Sequence, residues 1–324
     1  MEIIEKDVLF TKFQYQGKGK GKIQAYSWEP VPGSRTLGAV QIAHGMGEKA
    51  MRYAELGTFL AGHGFAVYTN DHLGHGKTAR HRNRLGKLPG KAGFDRMVED
   101  MEALTEVIRH RHRDLPFLLL GHSMGSFLVQ RQLQRTGKGL AGAILSGSGK
   151  VSTVQMFLAA LLAKEEMLRL GRHAPARLLH RLLFEGFNRK FSPNRTESDW
   201  LSRDGDRVDA YVKDPGCGFI CSTGFYYAFF RGMVRLWKRE ELGKMDRKLP
   251  LLLLSGDKDP LGDFGKGVRR LARTYERLGF SDVTLKLYPG GRHEMFHETN
   301  REEVMEDLLA WMKGRISPLP TFSG

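Results

Sequence analysis

Cysteine is scarce in this chain, and long apolar runs are absent from it. The 324 residues include two cysteines, Cys217 and Cys221, which excludes a disulfide-stapled secreted scaffold and fits a reducing compartment. No apolar run approaches the roughly 18 residues that a membrane-spanning helix needs. Residues 1–7 lack the basic and then apolar pattern of a signal peptide. We therefore expect a cytoplasmic protein with two isolated structural thiols rather than a redox pair.

Acidic residues are also in deficit. Lys and Arg number 51 against 36 Asp and Glu, which gives a net charge of +15. This charge either serves solubility alone or attracts an anionic surface, such as nucleic acid or phospholipid headgroups. The basic residues are spread over many segments and form no zinc finger, helix-turn-helix or aromatic RNA-binding signature. We therefore expect no nucleic-acid partner, and we expect peripheral contact with an anionic membrane or micelle surface.

Apolar periodicity indicates strands and helices that alternate along the chain. Short apolar runs bounded by turn residues predict strands, and segments with helical spacing lie between the later ones. The predicted strands cover residues 7–15, 22–29, 37–43, 65–68, 118–120, 140–145, 251–254 and 283–288. The final helix is predicted to be capped by Asn300 with Glu303 and to bury Val304, Leu308, Trp311 and Met312. This alternation predicts an α/β fold with a mostly parallel sheet and helices on both faces.

Residues 150–245 interrupt the alternation. The segment is too long for a plain connection between two strands, and it is rich in basic and aromatic residues. We predict a mostly helical cap, or lid, inserted into a core formed by residues 1–149 and 246–316, with a frayed tail at 317–324. The apolar run at 156–163 either contacts an acyl chain or a membrane, or packs on the core.

A Gly-x-Ser-x-Gly sequence joins the predicted strand at 118–120 to a helix. Residues 121–125 read Gly-His-Ser-Met-Gly. A strand, a sharp turn and a helix form the context of a nucleophile elbow, which exposes the serine hydroxyl above the sheet. The helix N-terminus would direct its N–H groups and its positive dipole end at a reacting carbonyl. The context therefore predicts Ser123 as a nucleophile, while the pattern alone also occurs in plain turns.

A serine nucleophile needs a base, and the base needs a carboxylate that fixes its tautomer. Asp259 follows the predicted strand at 251–254, and His293 follows the last strand. The carboxyl ends of parallel strands meet at one edge of the sheet, where ligands and catalytic groups gather. Ser, Asp, His is also the chain order of the α/β-hydrolase fold. We therefore predict a catalytic triad of Ser123, Asp259 and His293.

Each partner of the serine has rivals nearby. Asp257 and Asp263 flank Asp259, and Asp257 would serve if the turn after the strand were two residues shorter. His297 is the rival base, one turn further along than His293. We prefer Asp259 and His293 because of their positions relative to the strand ends.

Two sequence patterns suggest a metal site, and neither is complete. Residues 293–297 spell His-Glu-x-x-His, the zinc protease sequence, which needs a helix and a third ligand. Here a Gly-Gly turn precedes it, and Glu303 stands where a metzincin has histidine. The segment at 71–76, Asp-His-Leu-Gly-His-Gly, lacks further ligands at a matching spacing. We therefore expect no metal, and we expect the segment at 71–76 to form a structured loop beside the active site.

An oxyanion intermediate needs preorganised N–H donors. The N–H of Met124, at the start of the helix after Ser123, is one predicted donor. The second should come from the loop at 44–47, His-Gly-Met-Gly, whose glycines allow the backbone to approach a substrate. We assign the Met46 N–H to this role, and a tight turn without catalytic part is the alternative.

With these residues placed, the chain resembles the monoacylglycerol lipase and lysophospholipase branch of the α/β-hydrolase superfamily. The resemblance covers most of residues 10–315 and is weakest in the predicted cap. One departure is Ser126, where the family often has a further glycine. The matching segments are residues 44–48 followed by Arg52 and Tyr53, residues 71–76, residues 121–125, residues 256–259 and residues 291–294.

The resemblance implies an eight-stranded sheet of the α/β-hydrolase type, an acyl-enzyme intermediate, no cofactor, and a lid that shapes an acyl pocket. The expected activity is carboxylic ester hydrolysis of mono-acyl lipids, either lysophospholipid or monoacylglycerol. One alternative is an amide-cleaving, aminopeptidase-like relative, which would need an acidic anchor among Glu165, Glu166 and Asp199. Another alternative is a non-catalytic binding protein with the same fold.

Overall fold

One β-sheet organises the chain. The structure is a computed structural model that describes residues 2–5, 7–19, 21–88 and 93–316. Its strands are β1 (Glu2–Glu5), β2 (Val8–Gln16), β3 (Lys22–Pro30), β4 (Gly38–Ala43), β5 (Phe65–Asn70), β6 (Phe117–His122), β7 (Gly142–Ser146), β8 (Leu251–Gly256) and β9 (Val283–Tyr288). Their spatial order is β1-β2-β3-β5-β4-β6-β7-β8-β9. The eight predicted strands are confirmed, and β1 adds a short ninth strand at the edge.

The sheet changes from antiparallel to parallel at β5. Strands β1, β2 and β3 pair antiparallel with their neighbours, and β3 is also antiparallel to β5. All pairs from β5 through β4, β6, β7 and β8 to β9 are parallel. The carboxyl ends of β4, β6, β7, β8 and β9 therefore lie along one edge, and the predicted site residues follow β4, β6, β8 and β9.

Helices cover both faces of this sheet. The helices are α1 (Ala54–Gly62), α2 (Phe94–Arg111), α3 (Met124–Thr136), α4 (Thr153–Leu170), α5 (Arg177–His180), α6 (Gly186–Asn188), α7 (Gly205–Lys213), α8 (Thr223–Leu236), α9 (Arg239–Leu242), α10 (Lys266–Arg277) and α11 (Arg301–Lys313). Successive strand residues point to opposite faces. Leu118 and Leu120 therefore join a buried cluster with α1 and α11, while Leu119 joins one with α2, α3 and α10.

The segment between β7 and β8 is helical. It contains α4 to α9, and the aromatic side chains of α8 join the same buried cluster as α2 and α3. Its assignment as a separate cap domain over residues 150–245 stays a prediction, and the predicted tail at 317–324 lies outside the described residues. In the part of the chain that the structure describes, no helix combines the length and apolarity needed to cross a membrane.

The start of α11 differs from the predicted capping box. Asn300 precedes the helix, but its side chain accepts no hydrogen bond from the backbone of the first turn. Its amide group instead donates to the Glu303 carboxylate at 2.8 Å, and its Oδ1 accepts from Arg203 at 3.1 Å. Arg203 therefore binds the oxygen atom that, in an N-cap, would accept a backbone N–H of the first turn. Trp311, predicted to be buried in this helix, is partly buried.

Candidate active site

Ser123 stands at a strained turn between β6 and α3. Its backbone has a φ of +52° and a ψ of −120°, in the left-handed half of conformational space that side chains other than glycine rarely adopt. The surrounding backbone holds this conformation. The Ser123 N–H donates to the carbonyl of Ser146 on β7 at 2.9 Å, and the Ser123 carbonyl accepts from the N–H of Ser126 at 2.9 Å.

Two glycines make this turn sterically feasible. A Cβ built on Gly121 would lie 2.3 Å from the carbonyl oxygen of Gly125, and one built on Gly125 would lie 2.0 Å from the carbonyl oxygen of Ala43. No side chain fits at either position, because strand and helix cross too closely. Ser126, which departs from the family pattern, fits without disturbing the turn, since its hydroxyl bonds to the Ser123 carbonyl at 2.7 Å.

Asp259 and His293 form a buried pair after β8 and β9. Both carboxylate oxygens of Asp259 lie 3.0 Å from Nδ1 of His293, and the two side chains are 0% and 2% exposed. Burial disfavours the imidazolium, but the charge of Asp259 and its hydrogen bond outweigh this effect. The pKa of His293 is consequently raised from its ordinary value of 6.5.

The rival residues have other partners. Asp257 accepts the N–H of Gly290 at 2.8 Å, and Asp263 pairs with an arginine of α10. His297 Nε2 bonds to the carbonyl of Arg52 at 2.9 Å. The geometry therefore brings Asp259, and neither neighbouring aspartate, to His293.

The two imidazoles of the His-Glu-x-x-His sequence also have separate partners. His293 faces Asp259, whereas His297 ends a short 3-10 helix, Met295–His297, and faces the carbonyl of Arg52. Among the described residues, no group of three or more His, Cys, Asp or Glu side chains is arranged to hold a metal ion.

Three buried histidines support the loop at 44–47. His44 Nδ1 bonds to the Gly45 carbonyl at 2.8 Å, and its Nε2 accepts the N–H of His72 at 3.1 Å. His75 Nε2 accepts the N–H of Gly47 at 3.2 Å. Burial lowers the pKa of His44 to about 4 and that of His75 to about 3, so both rings stay neutral and can accept. The segment at 71–76 is therefore a structured loop beside this one, as predicted.

A buried ion triad joins the loop after β4 to the loop after β9. Arg52 Nη1 contacts Glu48 at 2.8 Å and Glu294 at 2.5 Å, and its Nη2 contacts Glu294 at 2.6 Å. All three side chains are at most 10% exposed. The sequence patterns contain these residues, but Arg52 and Glu294 are 242 positions apart, and no local signal reveals their pairing.

A cavity of about 300 Å³ opens where the loops meet. Ser123, His293, Met46 and Met124 all line it. Most of the remaining wall is apolar, with a few polar side chains of the inserted segment, His180, Glu197 and Tyr226, among them. The apolar lining includes Phe127, Val151, Met156, Leu183, Phe184, Phe187, Trp200, Leu201, Phe219, Phe229, Phe230, Met233 and Leu261.

The segment between β7 and β8 supplies site residues that the sequence did not reveal. The ring centroid of Trp200 lies 4.9 Å from that of His293. The hydroxyl of Tyr211 on α7 donates to the Gly47 carbonyl at 3.1 Å, and its ring stacks under the Arg52 guanidinium. Neither aromatic stands in a recognisable pattern, so only the spatial arrangement identifies them.

The chain is similar to known hydrolases along nearly its whole length. A family model described as serine aminopeptidase, S33 matches residues 34–300. The monoacylglycerol lipase of Mycolicibacterium smegmatis is 30% identical over 306 residues, covering 94% of this chain and 98% of the relative. The human monoglyceride lipase is 28% identical over 299 residues, covering 91% and 88%.

Solved structures show the same fold. A thermostable carboxyl esterase from Bacillus coagulans, crystallised with glycerol, superposes with a TM-score of 0.87 at 29% identity, covering 95% of this chain and 99% of the esterase. The sheet order, the nucleophile turn and the Asp–His pair follow the same α/β-hydrolase plan. The chain therefore belongs to the serine aminopeptidase S33 family of α/β-hydrolases, in the branch that resembles the monoacylglycerol lipases.

Proposed function

We propose that this protein is a serine carboxylic ester hydrolase that acts on mono-acyl lipids, monoacylglycerol or lysophospholipid, through an acyl-enzyme. One observation carries the proposal. The strained Ser123 lines the same largely apolar cavity as His293, which is paired with the buried Asp259. Relatives with 28–30% identity along nearly the whole chain are named monoacylglycerol or monoglyceride lipases.

The proton path follows from the Asp259–His293 pair. With a carboxylate at Nδ1, the imidazole carries its proton there and leaves Nε2 free as a base. His293 removes the Ser123 proton as the oxygen attacks the ester carbonyl, and it returns that proton to the departing alcohol. A water molecule then attacks the acyl-enzyme by the same path, which releases the fatty acid and restores Ser123.

The oxyanion is held by the N–H groups of Met46 and Met124. Met124 is the first residue of α3, so its N–H has no acceptor inside the helix. In a trans peptide the N–H points opposite to the C=O. His44 binds the Gly45 carbonyl and thereby turns the N–H of Met46 in the other direction. Among the described hydrogen bonds, Gly45 and Gly47 use their own N–H groups on Glu48 and His75, which leaves Met46.

The cavity suits a single acyl chain. Its volume of about 300 Å³ lies at the small end of ligand sites, roughly 300–1,000 Å³. Aromatic and aliphatic side chains of α3, of α8 and of residues 183–187 line much of it, while Ser123 and His293 lie at the end formed by the loops after β4, β6 and β9. We infer that the acyl chain lies among the apolar side chains and that the alcohol leaves from the polar end.

The acidic anchor predicted for the amide-cleaving alternative is not at Glu165, Glu166 or Asp199. Glu165 pairs with Arg169 on the surface of α4, and Asp199 accepts from the backbone and hydroxyl of Thr196. Neither of these acids, nor Glu166, is among the described residues that line the cavity. Glu197, from the same segment, does line the cavity, so the relative rates on matched ester and amide substrates decide between the two activities.

We also propose that α4 and its neighbours contact an anionic lipid surface. Exposed apolar side chains crowd this region: Val154, Phe157, Leu158, Leu161, Leu168, Leu170, Leu178 and Leu182 are 39–73% exposed. Exposed basic residues lie among and after them, at Lys164, Arg169, Arg177, Arg181, Arg189 and Lys190. An apolar face bordered by cations matches the interface of a bilayer or micelle with anionic headgroups.

Hydrolysis of a short acyl ester by wild type and Ser123→Ala tests the catalytic proposal. We expect the variant to lose at least 10³-fold in kcat and to lose labelling by a fluorophosphonate, while Ser281→Ala, an exposed serine before β9, retains both. Activity of Ser123→Ala equal to wild type would refute the assignment. Monoacylglycerol should then be cleaved faster than diacylglycerol of the same chain length.

Vesicle co-sedimentation tests the lipid contact. The double variant Leu158→Asp with Leu161→Asp should bind phosphatidylglycerol-containing vesicles less tightly than wild type, and Val212→Asp serves as the matched control. Val212 is 52% exposed on α7, comparable to Leu158 at 58%. Equal binding by all three proteins would contradict the proposed surface without affecting the catalytic assignment.

A further inference from the structure

We infer that Arg52 is a positioning residue that locks the oxyanion loop to the loop of the catalytic base, and that the surplus negative charge of its triad with Glu48 and Glu294 supports the imidazolium formed on His293. This inference rests on the proposed function. Its basis is the buried geometry of the triad, in which one guanidinium bridges two carboxylates at 2.5–2.8 Å.

Each carboxylate is fixed to a different half of the site. Glu48 closes the oxyanion loop by accepting the N–H of Gly45, and it also accepts the hydroxyl of Tyr53 at 2.9 Å. Glu294 directly follows His293, and its N–H donates to the carbonyl of Leu201 at 2.8 Å. A displacement of Arg52 would therefore move the oxyanion donors and the base relative to each other.

The triad is unbalanced in charge. One guanidinium faces two carboxylates, and burial makes a surplus buried charge costly unless a further cation compensates it. Burial favours protonation of Glu294, but the charge and hydrogen bonds of Arg52 outweigh it, so the pKa of that carboxyl lies far below its ordinary 4.5. The missing cation is supplied during the reaction, when His293 takes the Ser123 proton.

The carboxylates around His293 favour its imidazolium form, and its other titratable neighbours do not. Asp259 binds Nδ1, and Glu294 and Glu48 also raise the pKa of His293 after Asp259. His122, with its ring centroid 4.8 Å from that of His293, is neutral because burial lowers its pKa well below 6.5. His297 is buried, and its pKa is lowered as well. The Arg52 charge opposes an imidazolium, and the two carboxylates outnumber it.

Glu294→Gln tests the charge because the amide oxygen still accepts a hydrogen bond from Arg52. We expect the acidic limb of the kcat/KM profile to move down by about 1 pH unit and kcat at pH 8 to fall about tenfold, with KM within twofold of wild type. Glu294→Asp retains the charge and should keep the acidic limb in place. A residue that only braced the fold would not move this limb.

Glu241→Gln is the matched control. Glu241 is also buried, at 3% exposure, and contacts Arg131 at 2.9 Å and Arg235 at 2.9 Å, away from the cavity. This variant should lower Tm and leave both kcat and the acidic limb unchanged. The comparison separates the loss of a buried ion pair from the loss of charge beside His293.

An unchanged acidic limb in Glu294→Gln would overturn the inference about charge. If the limb is unchanged and a fluorophosphonate still labels Ser123 in that variant, the inference about charge fails and the proposed function stands. Should Glu294→Gln not fold, Glu48→Gln removes the same surplus charge from the other loop, and we expect the same downward shift. Arg52→Gln should lower kcat more than 10²-fold while fluorophosphonate labelling slows, and wild-type kinetics in that variant would refute the positioning role.

Discussion

Asp259→Asn is the most discriminating single substitution in the proposed triad. The carboxylate is fully buried, and both of its oxygens lie 3.0 Å from Nδ1 of His293, so the imidazole proton is held on Nδ1. Oδ1 also accepts the N–H of Leu261 at 2.9 Å, which keeps an amide oxygen on that side. The amide nitrogen of Asn then faces Nδ1 and favours the tautomer protonated at Nε2, which cannot accept the Ser123 proton.

The size of the effect follows from what is lost. The variant removes the buried charge that stabilises the imidazolium, and it selects the wrong tautomer while leaving the shape of the side chain intact. Comparable changes in serine hydrolases lower kcat by about 10⁴-fold, or about 5 kcal/mol of transition-state stabilisation. We expect a kcat loss of 10³- to 10⁴-fold on a soluble acyl ester, with KM nearly unchanged.

Asp257→Asn provides the control for this experiment. Asp257 lies two residues earlier and accepts the N–H of Gly290, so its amide should keep kcat within about threefold of wild type. Thermal unfolding of both variants checks that the fold persists. A kcat for Asp259→Asn within tenfold of wild type, or a larger loss in Asp257→Asn, would refute the assignment of Asp259 as the acid of the triad.

Three further predictions concern protonation and packing. Because the pKa of His293 is raised and its neutral form is the base, the acidic limb of kcat/KM for wild type should have its midpoint above pH 6.5. Because burial lowers the pKa of His44 to about 4 and that of His75 to about 3, each histidine takes up a proton on unfolding between pH 6.5 and its folded pKa. As the pH falls through that window, each should lower the free energy of unfolding by about 1.4 kcal/mol per pH unit, as measured by urea titration. Gly125→Ala should lower Tm by several degrees because its Cβ would meet backbone, whereas Gly62→Ala, with open space around it, should not.

Strand positions could be predicted because each central strand is a short apolar run between turns. Residues 118–120 and 251–254 are uninterrupted leucines, and all of them are buried in the parallel part of the sheet. β1 was not predicted because its four residues, Glu-Ile-Ile-Glu, are too short for a periodic signal. Its pairing with β2 is a tertiary property that composition does not encode.

The sharp turn at Ser123 could be predicted for a different reason. A nucleophile turn requires particular residue types, and the clash distances at Gly121 and Gly125 show why nothing larger is tolerated. Backbone requirements of this kind produce a local residue pattern that can be recognised in the sequence. The choice among Asp257, Asp259 and Asp263 is less visible in the sequence, because it depends on which carboxylate reaches the imidazole of His293, 34 positions beyond Asp259.

The sequence of residues 150–245 gives little indication of their role, although they contact both halves of the site. Two donors from this segment, the Tyr211 hydroxyl and the Gly218 N–H, bind the Gly47 carbonyl at 3.1 and 2.9 Å. On the other side, the Leu201 carbonyl accepts the N–H of Glu294. The segment that lines much of the cavity thus also holds the loop at 44–47 and the loop after β9. Substitutions there that alter chain-length preference should consequently change kcat together with KM, because selection and catalysis share the same contacts.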